Sequence, residues 1–277
     1  AAIVASLFSA RRNFMKIGIL TLRLFKNYGG ILQNYALSRF LQKNGYDVET
    51  INIVWSYQLN GVKKYFVWLK RLVRNMLIGK WYSLDEEKIL RNNELVAAQR
   101  VNAFKEKNIP LSQKVYSLPG ADFSDISNKY DTIIVGSDQV WRPKYTGGIE
   151  KYFLSFADNR IKKIAYSASF GTDKNEYSFY EKWVCGKLIK RFDAISVREE
   201  SAISLIREQL HWDVDVIQTL DPTMLLDITD YKSLVGQVVN NNKIFVFMKG
   251  VKDSPMCGFS ALTMDILKSL NVDFETF

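Results

Sequence analysis

Short apolar segments that alternate with helical segments constrain the fold of this chain more than any other feature. The strand-like segments are KIGILTL (16–22), DVETINIV (47–54), TIIV (132–135), KKIAYSAS (162–169), DAISVRE (193–199) and VDVIQTL (214–220). Between them, apolar residues recur at helical spacing, most clearly in ILQNYALSRFLQKNG. Short apolar strands that are separated by helices are typical of a parallel sheet with helices on both faces. The sequence therefore predicts a Rossmann-like α/β fold.

Composition narrows the class of protein. Of the 277 residues, 47% are hydrophobic and 24% are charged, which is ordinary for a globular protein. No apolar run approaches the roughly 18 residues that are needed to span a bilayer. Two cysteines and one histidine provide neither a disulfide framework nor a zinc site, and this favours a reducing cytoplasm.

The chain divides into three predicted parts. Residues 1–14 are rich in small residues and lack acids, which fits either a fragment of a targeting peptide or sequence upstream of a natural start at Met15. We predict an extra N-terminal tail at 1–14, a Rossmann-like domain at 15–234 and a different segment at 235–277.

The positive charge is unevenly distributed. The net charge is +9, yet residues 235–277 carry four lysines and four acids. The segment 61–80 has six basic residues, no acid and apolar residues at helical spacing. It is either a basic amphipathic helix that rests on an anionic membrane or holds an anionic ligand, or a helix packed on its own domain with solvated lysines. Since no nucleic-acid-binding motif accompanies the charge, we expect no nucleic-acid partner.

Candidate ligand contacts follow the predicted strands, because ligands of such sheets bind beyond the carboxyl ends of the strands. Asn27, Gly29 and Gly30 open a helix whose free N–H groups suit a phosphate or carboxylate, although a plain helix-start turn explains them equally well. The spacing matches neither an NAD loop nor an ATP loop.

Polar residues also follow the later strands. They include Ser137, Asp138, Gln139, Ser167, Ser169, Arg198, Glu199 and Asp221. Each has a structural explanation as a turn residue, a helix-start acid or a surface cation. Together, hydroxyls, amides and one arginine suit a sugar or phosphate ligand at one rim of the sheet.

Five motifs in this order resemble the polysaccharide pyruvyl transferase family over about residues 15–234. They are NYGGILQNYAL, YDTIIVGSDQVWRP, KKIAYSASFG, FDAISVREESA and LDPTMLL. The resemblance implies the N-terminal half of a GT-B-like fold, in which two Rossmann-like domains flank a cleft. It also implies transfer of the enolpyruvyl group of phosphoenolpyruvate to a sugar hydroxyl in cell-surface polysaccharide synthesis.

The same resemblance implies roles for the rim residues. Asp138 and Arg198 are the candidate catalytic residues, and Arg198 would stabilise a carboxylate or phosphate. Substrate contacts are expected at Asn27, Gly29, Gly30 and Gln139. The donor is a substrate, so transfer requires no cofactor, and the partner is a sugar or polysaccharide precursor. The single histidine, His211, is expected to be structural or superficial, and the oligomeric state is left open.

The C-terminal stretch FVFMKGVKDSPMCGFS resembles monothiol glutaredoxins, over about residues 236–277. The resemblance implies a partial thioredoxin-like segment in which Cys257, with glutathione, holds a shared [2Fe–2S] cluster. Lys249 would pair with the thiolate or a glutathione carboxylate, and Phe259 completes the motif. A cysteine at a helix N-terminus favours the thiolate on physical grounds as well.

Each resemblance covers only the first part of the family's fold. We therefore expect a join between the front domain of a transferase and the opening third of a glutaredoxin. We therefore expect weak or no transferase activity, because half of the expected cleft is absent. Three functions stay open: pyruvyl transfer, glutathione and cluster binding, and a non-catalytic sugar- or membrane-surface-binding module that uses residues 61–80. The last of these would place the protein peripherally at the membrane.

Overall fold

A computed structural model describes residues 15–25, 27–55, 102–118, 120–227, 229–231, 245–246, 250–251, 254–255, 258–271 and 274–276. Its main feature is a seven-stranded parallel sheet with the strand order β3-β2-β1-β4-β5-β6-β7. The strands are β1 (Lys16–Leu20), β2 (Asp47–Trp55), β3 (Leu111–Leu118), β4 (Thr132–Gly136), β5 (Lys162–Ala168), β6 (Ala194–Val197) and β7 (Ile217–Gln218). This order confirms the predicted Rossmann-like α/β fold.

Helices connect these strands. They are α1 (Tyr28–Lys43), α2 (Pro143–Thr146), α3 (Ile149–Tyr152), α4 (Phe179–Ile189) and α5 (Glu200–Ser204), which continues into a π turn at Leu205–Gln209. Residues 102–108 are also helical, and 3₁₀ turns lie at Ile126–Asn128 and Pro222–Leu225. In α1 the predicted apolar face is buried at Ile31, Tyr35, Leu37 and Leu41.

Strand β3 was missed by the sequence analysis. It pairs in parallel with β2 at the edge of the sheet, and about half of its residues are exposed. Its sequence, LSQKVYSL, therefore lacks the continuous apolar run that marks the central strands. An edge strand that is half solvated is compatible with such a polar composition.

A buried aromatic cluster lies beside the carboxyl end of β4. The Trp141 ring stacks on Phe153 with 5.0 Å between centroids, and its indole N–H donates to the Tyr152 carbonyl at 3.2 Å. The Tyr177 hydroxyl donates to the Trp141 carbonyl at 2.5 Å, and the Trp141 amide donates to the Ser169 carbonyl at 3.1 Å. The cluster thus fixes the loop after β4 against the loop after β5.

The C-terminal segment contains a small β–α–β unit that consists of β8 (Phe245–Val246), α6 (Gly258–Ser269) and β11 (Glu275–Thr276). Two further short strands, β9 (Gly250–Val251) and β10 (Ser254–Pro255), pair with each other between β8 and α6 in the sequence. Strands β8 and β11 pair in parallel, and Met264 and Phe274 pack together in a small core. This arrangement agrees with the predicted partial thioredoxin-like segment.

Two of the sequence predictions lie outside the described residues, namely the N-terminal tail 1–14 and the basic segment 61–80. The domain boundary near residue 234 stays a prediction. Among the described helices, none combines the length and the apolar character that crossing a membrane requires.

The aromatic cluster yields the first testable prediction. Trp141→Ala should lower the free energy of unfolding by about 3 to 5 kcal/mol, because it leaves a cavity among buried rings. Trp183→Ala is the matched control, since Trp183 on α4 is 54% exposed, and it should cost at most about 1 kcal/mol. Urea unfolding measures the free energy of unfolding of both variants. An equal decrease in the two variants would show that the aromatic cluster does not dominate the core.

Candidate functional site

The candidate site lies where the order of the strands reverses. Strands β1 and β4 are neighbours in the sheet, but the chain leaves β1 toward β2 on one side and leaves β4 toward β5 on the other. The loops beyond their carboxyl ends therefore diverge and leave room between them for a ligand. These loops carry Asn27 and Asp138.

Asn27 and Asp138 contact each other across this point. Asn27 is the N-cap residue of α1, yet its side chain makes no capping hydrogen bond. Instead its Nδ2 donates to Asp138 Oδ2 at 3.0 Å. The other carboxylate oxygen, Asp138 Oδ1, accepts from the Gln139 amide at 2.8 Å. Asp138 is thus held beside the start of α1.

The two glycines of α1 have different roles. A Cβ on Gly30 would lie 2.6 Å from Asp138 Oδ2 and 3.1 Å from Asn27 Nδ2. A Cβ on Gly29 would meet nothing closer than Asn27 Oδ1 at 3.4 Å, which is an ordinary contact. Only Gly30 is therefore required for the Asn27–Asp138 contact, a distinction that the sequence does not reveal.

The Asp138 carboxyl has an unusual protonation equilibrium. Burial raises its pKa above the ordinary aspartate range, and the negative charge of Asp221 acts in the same direction. The hydrogen bonds from Gln139 and Asn27 and the positive charge of Arg198 oppose this shift without reversing it. Asp138 consequently keeps its proton to higher pH than a solvated aspartate, as a general acid must.

Arg198 reaches the same rim from the end of β6. Its Nη2 donates to Ser169 Oγ at 3.1 Å, and its Nη1 lies 3.6 Å from Asp221 Oδ2. Its Nε lies 3.4 Å from Glu199 Oε2. Since 29% of the side chain stays accessible, the guanidinium is held in place and can still reach an anionic group.

Two further residues complete this network, and one of them is absent from the predicted site. Gln33 Nε2 donates to Asp221 Oδ2, and Asp221 Oδ1 accepts from the Thr223 amide at 3.0 Å. Gln33 follows Gly30 by three positions and so shares its face of α1. Helical spacing was the sequence signal that could have identified it. Asp221, which sequence analysis explains equally well as a turn residue, connects α1 to Arg198.

Gln139 belongs to a neighbouring network. Its Oε1 accepts from Arg142 Nη1 at 3.1 Å. Arg142 in turn makes a bidentate pair with Glu176 at 2.9 and 3.0 Å, and Lys144 joins the same carboxylate at 2.8 Å. These contacts fix the loop after β4, while the substrate contact of Gln139 stays a prediction.

The histidine and the cysteines of the chain are not among the residues described above for this rim. No group of histidine, cysteine or acidic residues suited to a metal ion occurs in the part of the chain that the structure describes. His211 is exposed in the loop before β7. Burial raises the pKa of the Cys185 thiol, which makes this cysteine unreactive. Lys249 and Cys257 lie outside the described residues, as does the side chain of Phe259, whose backbone is part of α6.

The glycine pair yields a second prediction. Gly30→Ala should lower the free energy of unfolding by about 1 to 3 kcal/mol, because the new methyl group forces Asn27 and Asp138 apart. Gly29→Ala should instead stabilise by up to about 1 kcal/mol, since alanine favours the helix and meets no close contact. Urea denaturation of the two variants tests this difference in sign, and stabilisation by both would contradict the geometry.

Comparison with known proteins relates a short segment of the chain to monothiol glutaredoxins. An uncharacterized monothiol glutaredoxin of Porphyra purpurea is 50% identical over 46 residues, which are 17% of this chain and 43% of the relative. A chloroplastic monothiol glutaredoxin of Arabidopsis thaliana is 52% identical over 44 residues, 16% and 25% of the two chains. The chain thus spans less than half the length of these relatives.

A second comparison covers most of the chain, including every rim residue described above. The profile of the family described as polysaccharide pyruvyl transferase matches residues 27–254. The match extends from the N-cap of α1 beyond residue 234. It includes Asn27, Gly30, Asp138 and Arg198, the residues that the structure brings to the rim of the sheet. On this match, the chain belongs to the polysaccharide pyruvyl transferase family.

Proposed function

We propose that the protein transfers the enolpyruvyl group of phosphoenolpyruvate to a sugar hydroxyl, as a step in the synthesis of a cell-surface polysaccharide. The observation that carries this proposal is the buried Asp138 carboxyl with its raised pKa, held by Asn27 at the start of α1. Family membership supplies the reaction class, and the rim supplies groups that suit it.

Asp138 is the proposed general acid. Proton transfer from its carboxyl to the methylene carbon of the enol would make the adjacent carbon electrophilic. A sugar hydroxyl then adds to that carbon as a base takes its proton. Phosphate leaves, and a second hydroxyl of the same sugar adds to the cation that results and loses its proton, which completes a pyruvate ketal. A carboxyl whose pKa is raised by burial suits the first step better than a solvated aspartate does, and general acid catalysis contributes about 10²- to 10⁴-fold to a rate.

The donor would be bound by the start of α1 and by Arg198. The first N–H groups of α1 are not capped by the Asn27 side chain, so they can donate hydrogen bonds to an anionic group. Arg198 is partly accessible and can share its guanidinium between Asp221 and a donor carboxylate or phosphate. The carboxylates of Asp221 and Glu199 suit the hydroxyls of a sugar acceptor. No cofactor enters this scheme.

Phosphate release tests the proposal. Sugar-dependent release of phosphate from phosphoenolpyruvate, with the pyruvylated sugar identified by mass spectrometry, is the expected result. Asp138→Asn should lower kcat at least about 100-fold, because an amide cannot donate the proton. The activity of the unchanged protein should fall as the pH rises through the raised pKa of Asp138, since the acid then loses its proton.

The matched control is His211→Ala, which removes an exposed side chain outside the rim and should leave kcat unchanged. Full activity of Asp138→Asn would exclude Asp138 as the acid. Failure of the unchanged protein to release phosphate with any sugar of a broad panel would contradict the proposed reaction.

A second candidate function is glutathione-dependent binding of a [2Fe–2S] cluster. It is favoured by the short but close similarity to monothiol glutaredoxins and by the start of α6 at Gly258, directly after Cys257 in the sequence. A helix that starts there fits a cysteine ligand, because the N-terminus of a helix stabilises a thiolate. Cys257 would bind the cluster, while Lys249 and Phe259 would contact glutathione; the cluster would supply iron–sulfur redox or transfer chemistry.

Anaerobic reconstitution with iron, sulfide and glutathione tests this candidate. The unchanged protein should develop the visible absorption of an iron–sulfur cluster, and Cys257→Ser should lose it. Cys185→Ser is the matched control, since Cys185 is buried against the main sheet and should leave the spectrum unchanged. Equal spectra of the Cys257→Ser variant and the unchanged protein would exclude this cysteine as a ligand.

A further inference from the structure

Helix α4 exposes three aromatic side chains to solvent within its first two turns. Phe179 is 90% exposed, Tyr180 is 70% exposed and Trp183 is 54% exposed. Buried aromatic side chains dominate cores and interfaces, so three exposed ones on a single helix of eleven residues are a departure from the usual pattern. None of these three residues belongs to the hydrophobic clusters that pack against the sheet.

The aromatic residues share their face of α4 with lysines. Cys185 and Ile189 are buried on the opposite side of the helix, where they join the main core. With about 3.6 residues per turn, Phe179, Trp183 and Lys187 lie in one row, and Tyr180 lies beside them. Lys190, just beyond the helix, is exposed and continues the row. We call Phe179, Tyr180, Trp183, Lys187 and Lys190 the aromatic–basic face.

The charge of this face is positive. Lys187 Nζ lies 3.7 Å from the centroid of the Trp183 ring, so the cation and the ring are already associated. The only acid of α4 is Glu181, whose side chain accepts hydrogen bonds from the amide and hydroxyl of Ser178 in a capping box. The carboxylate thus lies at the start of the helix and is not one of the residues of the aromatic–basic face.

We propose that the aromatic–basic face binds the interface of an anionic lipid bilayer. Tryptophan and tyrosine favour the headgroup region because they combine an apolar ring with a polar atom. Lysines beside them attract anionic headgroups, and each adds about fivefold to the affinity near such a surface. A rigid helix that presents rings and cations together therefore matches this partner in both respects.

The size of the face favours a bilayer over a protein partner. Three fully covered aromatic side chains bury about 450 to 750 Å². A stable protein interface needs about 800 Å² on each partner, spread over about 20 to 30 residues. Binding to a bilayer has no such threshold, because apolar insertion and electrostatic attraction add to one another over a small contact. The other exposed apolar residues lie on other elements, such as Val115 on β3.

This inference does not depend on pyruvyl transfer, since vesicle binding is measured without donor or acceptor. The experiment is co-sedimentation of the full chain with vesicles of phosphatidylcholine alone and of phosphatidylcholine mixed with phosphatidylglycerol. The unchanged protein should sediment with the mixed vesicles and stay in the supernatant with the neutral ones. Trp183→Ala should lower the partition coefficient about tenfold, and Lys187→Gln about fivefold. Binding should weaken as salt is added.

Val115→Ser is the matched control, because it removes an exposed apolar side chain (49%) from a different element and should leave binding unchanged. Circular dichroism should confirm that every variant is folded. Three outcomes would overturn the proposal. They are failure of the unchanged protein to bind the mixed vesicles, unaltered binding when Phe179, Tyr180 and Trp183 are all replaced by serine, and a dimer that depends on Trp183 without vesicle binding.

Discussion

The parallel pairing of β1 with β4 is the contact on which the rest of the structure depends. The register runs from Ile17 opposite Thr132 to Leu20 opposite Val135, and all four residues are buried. This burial is expected for central strands of a parallel sheet that is covered by helices on both faces. Because both strands point the same way, their carboxyl ends meet, and segments 111 positions apart in the chain come into contact there.

Several kinds of interaction then convert this meeting point into a site. The aromatic cluster around Trp141 holds the loop after β4, which places Asp138 beside the start of α1. The absence of a side chain at Gly30 lets its carboxylate approach the helix start. Burial raises the pKa of that carboxyl, and the Arg198 guanidinium lies between Asp221 and Glu199. A carboxyl with a raised pKa and a guanidinium are therefore brought to the same rim by different loops.

The central part of the fold could be predicted from sequence because buried parallel strands appear as short apolar runs that are separated by helical segments. Six strands were predicted from short apolar runs, and α1 from the spacing of Ile31, Tyr35 and Leu41. Strand β3 could not be recognised, since its pairing with β2 stabilises it despite a polar sequence. In the site, Asp138 and Arg198 were identified by their place after strands. Gln33 was missed because its importance comes from its partner Asp221, which lies 188 positions away.

The sequence by itself determined the alternation of strands and helices, the family and the residue types at the strand ends, because these depend on local pattern. Only the tertiary structure decided which glycine must be a glycine, which groups surround Arg198 and why the pKa of Asp138 is raised. It also decided that the aromatic residues of α4 face solvent. The physical reason is that steric contact, burial and charge interactions join residues that are far apart in the chain. A local sequence pattern does not specify which distant residues come into contact.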